Sequence, residues 1–226
     1  MIPLFLGLLM CLSPVVSSSS SGGSVSDNGA GYMQSGVFTM VGGEWTVPAL
    51  DCAATPGGLT ADWVGVDGWM GTPDLIQAGT MSVCSTEGVQ ENYAWWTDQA
   101  QGYAAEEAFP VATGDVVFAR VWKEAPEVWA WSVRDLSSPV GSASASESFD
   151  SAGVTAEWIA EDPGCPPAPY HSLCRLADFG TVHFSHAQYI GTTTNATAIE
   201  MIIRSSGVPQ AMPSAMVGSS WDVTYE

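Results

Sequence analysis

The chain carries almost no helix signal, and this constrains its fold more than any other feature of the sequence. No window shows apolar residues spaced three and four apart between capping residues. Short runs rich in β-branched and aromatic residues recur instead, separated by Gly, Pro, Asp and Ser. The strands predicted in this way cover residues 37–41, 44–47, 62–67, 93–97, 115–123, 127–134, 155–161, 179–184, 198–203 and 220–225. This pattern favours an all-β sandwich.

The composition fits a single domain. A length of 226 residues and a hydrophobic fraction of 46% allow a sizeable core to be buried. No linker and no internal repeat divides the chain. The serine-rich tract at 142–148 predicts a polar strand or loop inside the domain, because it lies between strand-like segments.

The charge balance is strongly acidic, with 24 Asp and Glu against 5 Lys and Arg and a net charge of −19. We expect no nucleic-acid partner, because binding to phosphates requires a basic surface. With every carboxylate protonated, the chain has at most nine positive charges, from its Lys and Arg, three His and the amino terminus. Such limited self-repulsion at low pH suits a protein adapted to acid, an interpretation that also needs the motifs below.

The amino terminus predicts secretion. An apolar run at 2–16 is followed by serines at 17–21, and this run has the length of a signal-peptide core rather than of a membrane span. We therefore expect a signal peptide at about 1–20, a Ser/Gly-rich segment at 21–35 and a domain at 36–226. The mature chain is expected to be extracellular, monomeric and without a membrane anchor. Asn195 begins a possible glycosylation sequence.

Four cysteines remain once removal of the signal peptide has taken Cys11 away. An even number in a secreted chain favours two disulfides, with three possible connectivities. We favour Cys52–Cys84 and Cys165–Cys174, because each pair flanks its own segment. Zinc is the alternative, but the Cys-x-x-Cys spacing is absent and the histidines do not cluster with the cysteines.

Three short segments carry the functional signal. They are Asp-Trp-Val-Gly-Val-Asp-Gly at 62–68, Leu-Ile-Gln-Ala-Gly at 75–79 and Thr-Ala-Glu-Trp-Ile-Ala-Glu-Asp at 155–162. In this order and spacing they resemble the signature of the glutamic peptidases (eqolisins or scytalidoglutamic peptidases, peptidase family G1). Each segment alone is weak, and the set is strong.

The resemblance implies a fold, an activity and a set of residues. The fold would be a two-sheet antiparallel β-sandwich of the concanavalin A-like lectin/glucanase type, with substrate across its concave face. The activity would be acid endoproteolysis of protein or peptide substrates without cofactor or metal. Gln77 and Glu157 would be catalytic, and Trp63, Asp67 and Trp95 would contact the substrate or support the site.

The chemistry of such a pair is sufficient for hydrolysis of a peptide bond. A carboxylate can accept a proton from water, and a side-chain amide can donate a hydrogen bond to the developing oxyanion. On a strand, Glu157 and Glu161 share one face but lie about 13 Å apart, so they cannot act on one water together. Glu161 is the second candidate for the base.

One position departs from the family pattern. The family commonly carries a segment like Tyr-x-Ala-Trp-Tyr-Glu-Trp after the glutamine, whereas residues 93–98 read Tyr-Ala-Trp-Trp-Thr-Asp. Thr97 thus replaces a glutamate that supports the acidic network of the family's site. Asp98 does not substitute for it, because the next residue on a strand faces the opposite way.

Two other functions fit the same fold class. A glycoside hydrolase would need two carboxylates about 5 Å or about 6.5–9.5 Å apart, and the spacing of Glu157 and Glu161 is too wide for either. A non-catalytic carbohydrate-binding module would use an aromatic platform, for which Tyr93, Trp95, Trp129 and Trp131 are the candidates, with a hydrophobic core as their commoner role. His183 and His186 lie three apart on a predicted strand, which makes them a poor pair of metal ligands.

Overall fold

The chain folds almost entirely into strands. The structure is a computed structural model that describes residues 13–14, 23–69, 72, 74–98, 105–165, 172–193, 196–203 and 206–226, and no helix occurs among them. The strands are β1 Ser13–Pro14, β2 Ser24–Ser26, β3 Gly29–Thr46, β4 Leu59–Asp67, β5 Leu75–Cys84, β6 Gln90–Asp98, β7 Glu106–Pro110, β8 Val116–Ala125, β9 Val128–Asp135, β10 Ser142–Ser148, β11 Thr155–Glu161, β12 Thr181–Thr193, β13 Thr197–Ile203, β14 Val208–Pro213 and β15 Trp221–Tyr225. The all-β prediction is confirmed.

One long strand, β3, belongs to both layers of the sandwich. Its first half pairs with β11 and β13, and its second half pairs with β8 and β12. The front layer contains β13, the first half of β3, β11, β4, β5, β6 and β7, and the back layer contains β10, β9, β8, the second half of β3 and β12. Strands β14 and β15 connect β13 to β12, so hydrogen bonding continues from one layer into the other.

Aromatic side chains fill the space between the two layers. Trp96 of the front layer stacks on Trp131 of the back layer, with ring centroids 5.0 Å apart. Trp158 of β11 is fully buried, and its indole N–H donates to the carbonyl of Gly42 on β3 at 2.8 Å. A buried indole is stable when its N–H has an acceptor, so this bond connects the strand of the third motif segment to the opposite layer.

Glycines explain where the predicted strand boundaries were wrong. Segments 37–41 and 44–47 are one strand of 18 residues, β3. Gly43 is needed for close packing rather than for a turn, because a Cβ there would lie 2.9 Å from Trp158 Cδ1. Strand β5 escaped prediction because Gly79 interrupts it, although a Cβ at Gly79 would lie 2.1 Å from the carbonyl oxygen of Asp62. Strands β7 and β14 were also missed, and the polar segment 142–148 is strand β10.

The two predicted disulfides are confirmed. Cys52–Cys84 connects the loop after β3 to the end of β5, and Cys165–Cys174 closes a loop after β11. Asn195 lies outside the described residues, as does all of the predicted signal peptide except Ser13 and Pro14, which pair with β12. In the described ranges, no helix is long and apolar enough to cross a membrane.

We predict that the two disulfides stabilise the fold unequally. Cys52–Cys84 spans 32 residues and Cys165–Cys174 spans 9, so the first removes more conformational entropy from the unfolded chain. Replacing Cys52 and Cys84 by serine should cost about 1 kcal/mol more than replacing the other pair. Chemical denaturation of both double variants measures the difference, and equal losses would contradict the prediction.

Candidate active site

Three residues of the motif segments lie side by side across the front layer. Glu157 on β11 is in register with Gly65 on β4, and Gly65 is in register with Gln77 on β5. With strands about 4.8 Å apart, the backbones of Glu157 and Gln77 are separated by about 10 Å. Thr97 on β6 is the next residue in this row. The register therefore places the carboxylate and the amide on either side of a residue without a side chain.

Side chains along β11 alternate between the two faces of the front layer, as the sequence predicted. Trp158 points into the core between the layers, whereas Ile159 belongs to a second apolar cluster on the outer side of the front layer. Glu157 and Glu161 share the face of Ile159, because side chains two apart on a strand point the same way. The second cluster, here called the cleft cluster, consists of Met33, Ala61, Trp63, Leu75, Trp95, Ile159 and Ile199, with Trp69, Met81 and Tyr93 packed against it.

The pair of Glu157 and Gln77 is enclosed by these apolar side chains. Glu157 is 3% exposed and Gln77 is 2% exposed. Burial raises the pKa of Glu157 to about 8; a hydrogen bond from the Thr155 hydroxyl lowers this pKa, and the charges of Asp67 and Glu161 raise it further. The enclosed Glu157 is therefore uncharged at acid pH.

One atom of the Gln77 side-chain amide, its acceptor oxygen, is unpartnered among the described residues. Its Oε1 is buried and has no hydrogen-bond partner within the described part of the chain. A glutamine that only satisfied neighbouring backbone groups would have this oxygen bonded. Gln77 lies third in β5, inside the strand rather than at a loop, so its backbone is held by β4 and β6 on both sides.

Asp67 supports the site through the loop that leads into β11. Its backbone is left-handed, with φ of 65°, and its carboxylate accepts hydrogen bonds from the Ser151 hydroxyl, from the Gly153 amide at 3.0 Å and from the Val154 amide at 2.7 Å. These bonds fix the start of β11 and hence the position of Glu157. Asp67 is 1% exposed. It affects Glu157 indirectly, because it fixes the loop before β11 and because its charge raises the pKa of Glu157.

Trp63 lies over the glycine that separates the pair. A Cβ at Gly65 would come within 2.8 Å of Trp63 Cζ3, so the ring edge rests on this part of the sheet. The indole N–H of Trp63 donates to Glu161 Oε2 at 2.8 Å. Trp95 lies two strands away in the row of Trp63, with Gly79 between them. The predicted residues of the substrate wall are thus brought together.

The aromatic platform considered for a carbohydrate-binding module does not exist. Trp129 and Trp131 lie between the layers, with exposures of 0% and 4%, whereas Tyr93 and Trp95 belong to the cleft cluster on the other side of β6. The two histidines also have separate partners, His183 with Asp222 at 2.7 Å and His186 with Glu44 at 3.0 Å. No group of three or more His, Cys, Asp or Glu side chains converges within the described ranges.

Comparison with known proteins identifies the family. The sequence profile of the Peptidase A4 family, which comprises the glutamic peptidases, matches residues 27–225. The chain belongs to this family. It is therefore a peptidase of the glutamic type, as the motifs predicted. A comparison with curated protein sequences gave no significant match.

Solved structures of glutamic peptidases share the fold. Scytalido-glutamic peptidase in complex with a peptide-based transition-state analogue superposes with a TM-score of 0.75 at 19% identity, covering 88% of this chain and 98% of that one. The eqolisin SCP-B, bound to the tripeptide Ala-Ile-His, gives 0.73 at 19% identity with the same coverage. Aspergilloglutamic peptidase from Aspergillus niger gives 0.63 at 25% identity, covering 75% of this chain and 99% of that one.

Four carboxyl groups of this glutamic peptidase have pKa values raised mainly by burial. These values are about 8 for Asp62 and Glu157 and about 7 for Glu161 and Asp162. Asp62 faces the core, and neither of its carboxylate oxygens has a hydrogen-bond partner among the described residues. A charge there has no compensating partner, so the protonated form is the one that the core accommodates.

The sign of the resulting pH dependence follows from proton binding. Unfolded carboxyl groups titrate near pH 4, so between about pH 4 and pH 8 the folded chain binds more protons than the unfolded chain. The stability from these groups is complete below about pH 4 and is lost as the pH rises through 7 to 8. Each group changes the free energy of unfolding by up to about 1.4 kcal/mol per pH unit within its range.

We predict that Asp62→Asn flattens this dependence. Thermal unfolding of the wild type should show a melting temperature that falls from pH 4 to pH 8, and the variant should show a smaller fall because one titrating group is gone. Asp150→Asn, at an exposed position, is the matched control and should follow the wild type. A variant profile that runs parallel to the wild type would contradict the assignment.

Proposed function

We propose that this peptidase is a secreted acid endopeptidase in which Glu157 is the general base and Gln77 stabilises the oxyanion. The observation that carries the proposal is the row of Glu157, Gly65 and Gln77 across three neighbouring strands. Gly65 adds no side chain of its own between the other two, and the edge of the Trp63 ring and Leu75, which lie over Gly65, would have to yield to a scissile carbonyl and a water. A base on one side and a donor on the other is the arrangement that hydrolysis of an amide requires.

The reaction can be followed atom by atom. Glu157 accepts a proton from water while the water oxygen forms a bond with the carbonyl carbon of the substrate. The carbonyl oxygen becomes negative and accepts a hydrogen bond from the side-chain amide of Gln77. The protonated Glu157 then donates its proton to the amide nitrogen as the C–N bond breaks, which releases an amine and a carboxylic acid and restores the base.

Glu157 is a better candidate for the base than Glu161. Glu161 lies in register with Ala61 on β4, four residues along β11 from the row of Gln77. Its two oxygens are already occupied, Oε2 by the indole of Trp63 and Oε1 by the side-chain amide of Asn28 at 2.9 Å. A carboxylate held in this way is poorly placed to take a proton from a water near Gln77.

The substrate is proposed to be an extended peptide lying over the cleft cluster. The solved relatives were crystallised with a peptide-based transition-state analogue and with a tripeptide, which supports this class of ligand. Trp63 and Trp95 would form the apolar wall beside the scissile bond. A cavity of about 370 Å³ adjoins the cleft cluster at Trp69 and is lined by Val25, Ser26, Asp27, Asn28, Trp69 and Ile202. Its size is sufficient for a further side chain of the peptide.

Acid activity requires that the cleft admit water. A pKa of about 8 would leave Glu157 protonated at acid pH and therefore unable to act as a base. A water that donates a hydrogen bond to the carboxylate favours the charged form and so lowers this pKa. We therefore propose that Glu157 releases its proton to solvent in the substrate complex, where a hydrogen bond from the nucleophilic water stabilises the carboxylate.

Secretion is supported by the two disulfides and by the acidic composition. Disulfides persist in oxidising compartments, and a net charge of −19 keeps an extracellular protein soluble at neutral pH. We propose a monomeric enzyme whose partners are its peptide substrates and which needs no cofactor or metal. We also propose that residues 1–20, approximately, are a signal peptide that is removed on secretion.

We expect Glu157→Gln to abolish proteolysis without unfolding the chain. The substitution preserves shape and removes the base, so cleavage of a denatured protein substrate at acid pH should fall by about 10²–10⁴-fold. Glu87→Gln, in an exposed turn, is the control and should retain full activity. A Glu157→Gln variant as active as the wild type would overturn the assignment of the base.

The pH dependence of the wild type tests the role of water in the cleft. The profile of kcat/KM reports the base in the free enzyme, and the profile of kcat reports it in the enzyme–substrate complex. Ionisation on substrate binding predicts that the acid limb of kcat has its midpoint at a lower pH than the acid limb of kcat/KM. Coincident midpoints would show that binding does not change the pKa of Glu157.

A further inference from the structure

We propose that Glu161 is a positioning residue which, together with Asn28, holds the indole of Trp63 at the catalytic row and so determines how substrate is bound. This inference rests on the proposed function, because it concerns the same cleft. Glu161 lies in the third motif segment, but the proposed reaction gives it no role. Its two hydrogen bonds, and the place to which they lead, are properties of the folded chain.

Each of the two carboxyl oxygens of Glu161 faces one donor. Trp63 Nε1 donates to Oε2 at 2.8 Å, and Asn28 Nδ2 donates to Oε1 at 2.9 Å. With one donor on each oxygen, rotation of the carboxylate would break both hydrogen bonds. The orientation of the indole N–H is therefore set by a group that cannot easily turn away.

Asn28 is itself anchored on both sides. Its side-chain oxygen accepts a hydrogen bond from the Ser26 hydroxyl at 2.9 Å, and its carbonyl accepts from the backbone amide of Asp162 at 2.8 Å. Ser26 ends β2, which pairs in parallel with β13. The clamp on Glu161 thus reaches from the strand that carries the base to the segment that enters β3.

Two glycines restrict the other end of the Trp63 side chain. A Cβ at Gly79 would lie 2.7 Å from Trp63 Cβ, and a Cβ at Gly65 would lie 2.8 Å from Trp63 Cζ3. The ring is therefore packed against bare backbone at both positions, while its N–H is bonded to Glu161. Since Gly65 separates Glu157 from Gln77, a small rotation of this ring changes the space in which the scissile bond must lie.

Substitution of Glu161 by Gln tests this role. A glutamine side chain has one acceptor oxygen, so it can keep only one of the donors from Trp63 and Asn28. We expect KM to rise and kcat/KM to fall about tenfold, because the displaced indole binds substrate less well. A smaller folded fraction would lower kcat and leave KM unchanged, so the rise in KM separates positioning from a loss of stability.

A double-mutant cycle with Trp63→Phe shows whether Glu161 acts through the indole. Phenylalanine keeps an aromatic ring and lacks the N–H donor. In the Trp63→Phe background, Glu161→Gln should have almost no further effect on kcat/KM, because the contact is already gone. A second tenfold loss in that background would show that Glu161 acts independently of Trp63 and would overturn the inference.

Two further variants serve as comparisons for Glu161→Gln. Asp162→Asn removes the neighbouring buried acid without touching Trp63 and should leave KM unchanged. Asn28→Ala removes one side of the clamp and should raise KM less than Glu161→Gln. If Asp162→Asn raised KM as much as Glu161→Gln does, the effect would belong to buried charge in general and the inference would fail.

The contact can be measured without any proteolysis. The indole N–H signal of Trp63 in a ¹H–¹⁵N spectrum is identified by its loss in Trp63→Phe, and it should shift and exchange faster with solvent in Glu161→Gln. An unchanged signal would overturn the inference even if Glu157 proved to be the base. A shifted signal in a wild-type chain that cleaves nothing would support the contact and overturn only the proposed function.

Discussion

The antiparallel register of β11, β4 and β5 is the constraint on which the site depends. Ladder hydrogen bonds place Glu157, Gly65 and Gln77 in one row. A slip of one residue between β4 and either neighbour would turn the glutamate or the glutamine into the core. This register is held by the core face of the same strands, where Val64, Ala78 and Trp158 pack between the layers. The candidate active site is thus positioned by hydrophobic packing on the opposite side of its own sheet.

Glycine at the centre of the row serves two purposes. It puts no side chain of β4 between Glu157 and Gln77, and it allows the ring of Trp63 to lie against the sheet. A larger residue at Gly65 would collide with Trp63, Leu75 and Gln77 together. The separation of Glu157 from Gln77 and the position of Trp63 therefore depend on the same glycine.

Burial of acids connects the chemistry to the stability of the fold. The apolar cleft cluster that encloses Glu157 also raises its pKa, and the core does the same to Asp62. Both shifts make the folded chain more stable when these carboxyl groups are protonated, which suits an acidic environment. As the proposed base, Glu157 would nevertheless have to be ionised to react, so the proposed mechanism requires that water reach it.

The sequence alone determined the all-β class and the membership of Gln77 and Glu157 in one motif set, because these follow from local patterning and from short, specific segments. It favoured the two disulfides among three possible connectivities, and the structure decided the pairing. The sequence did not predict the continuity of β3 or the existence of β5, since glycines there read as interruptions until the packing of Trp158 and Trp63 against them is known. Only the tertiary structure decided the partners of Asp67 and Glu161, which bond to residues between 84 and 133 positions away. Hydrogen bonds between such distant side chains arise from the pairing of the strands that carry them, and no local pattern in a single chain encodes that pairing.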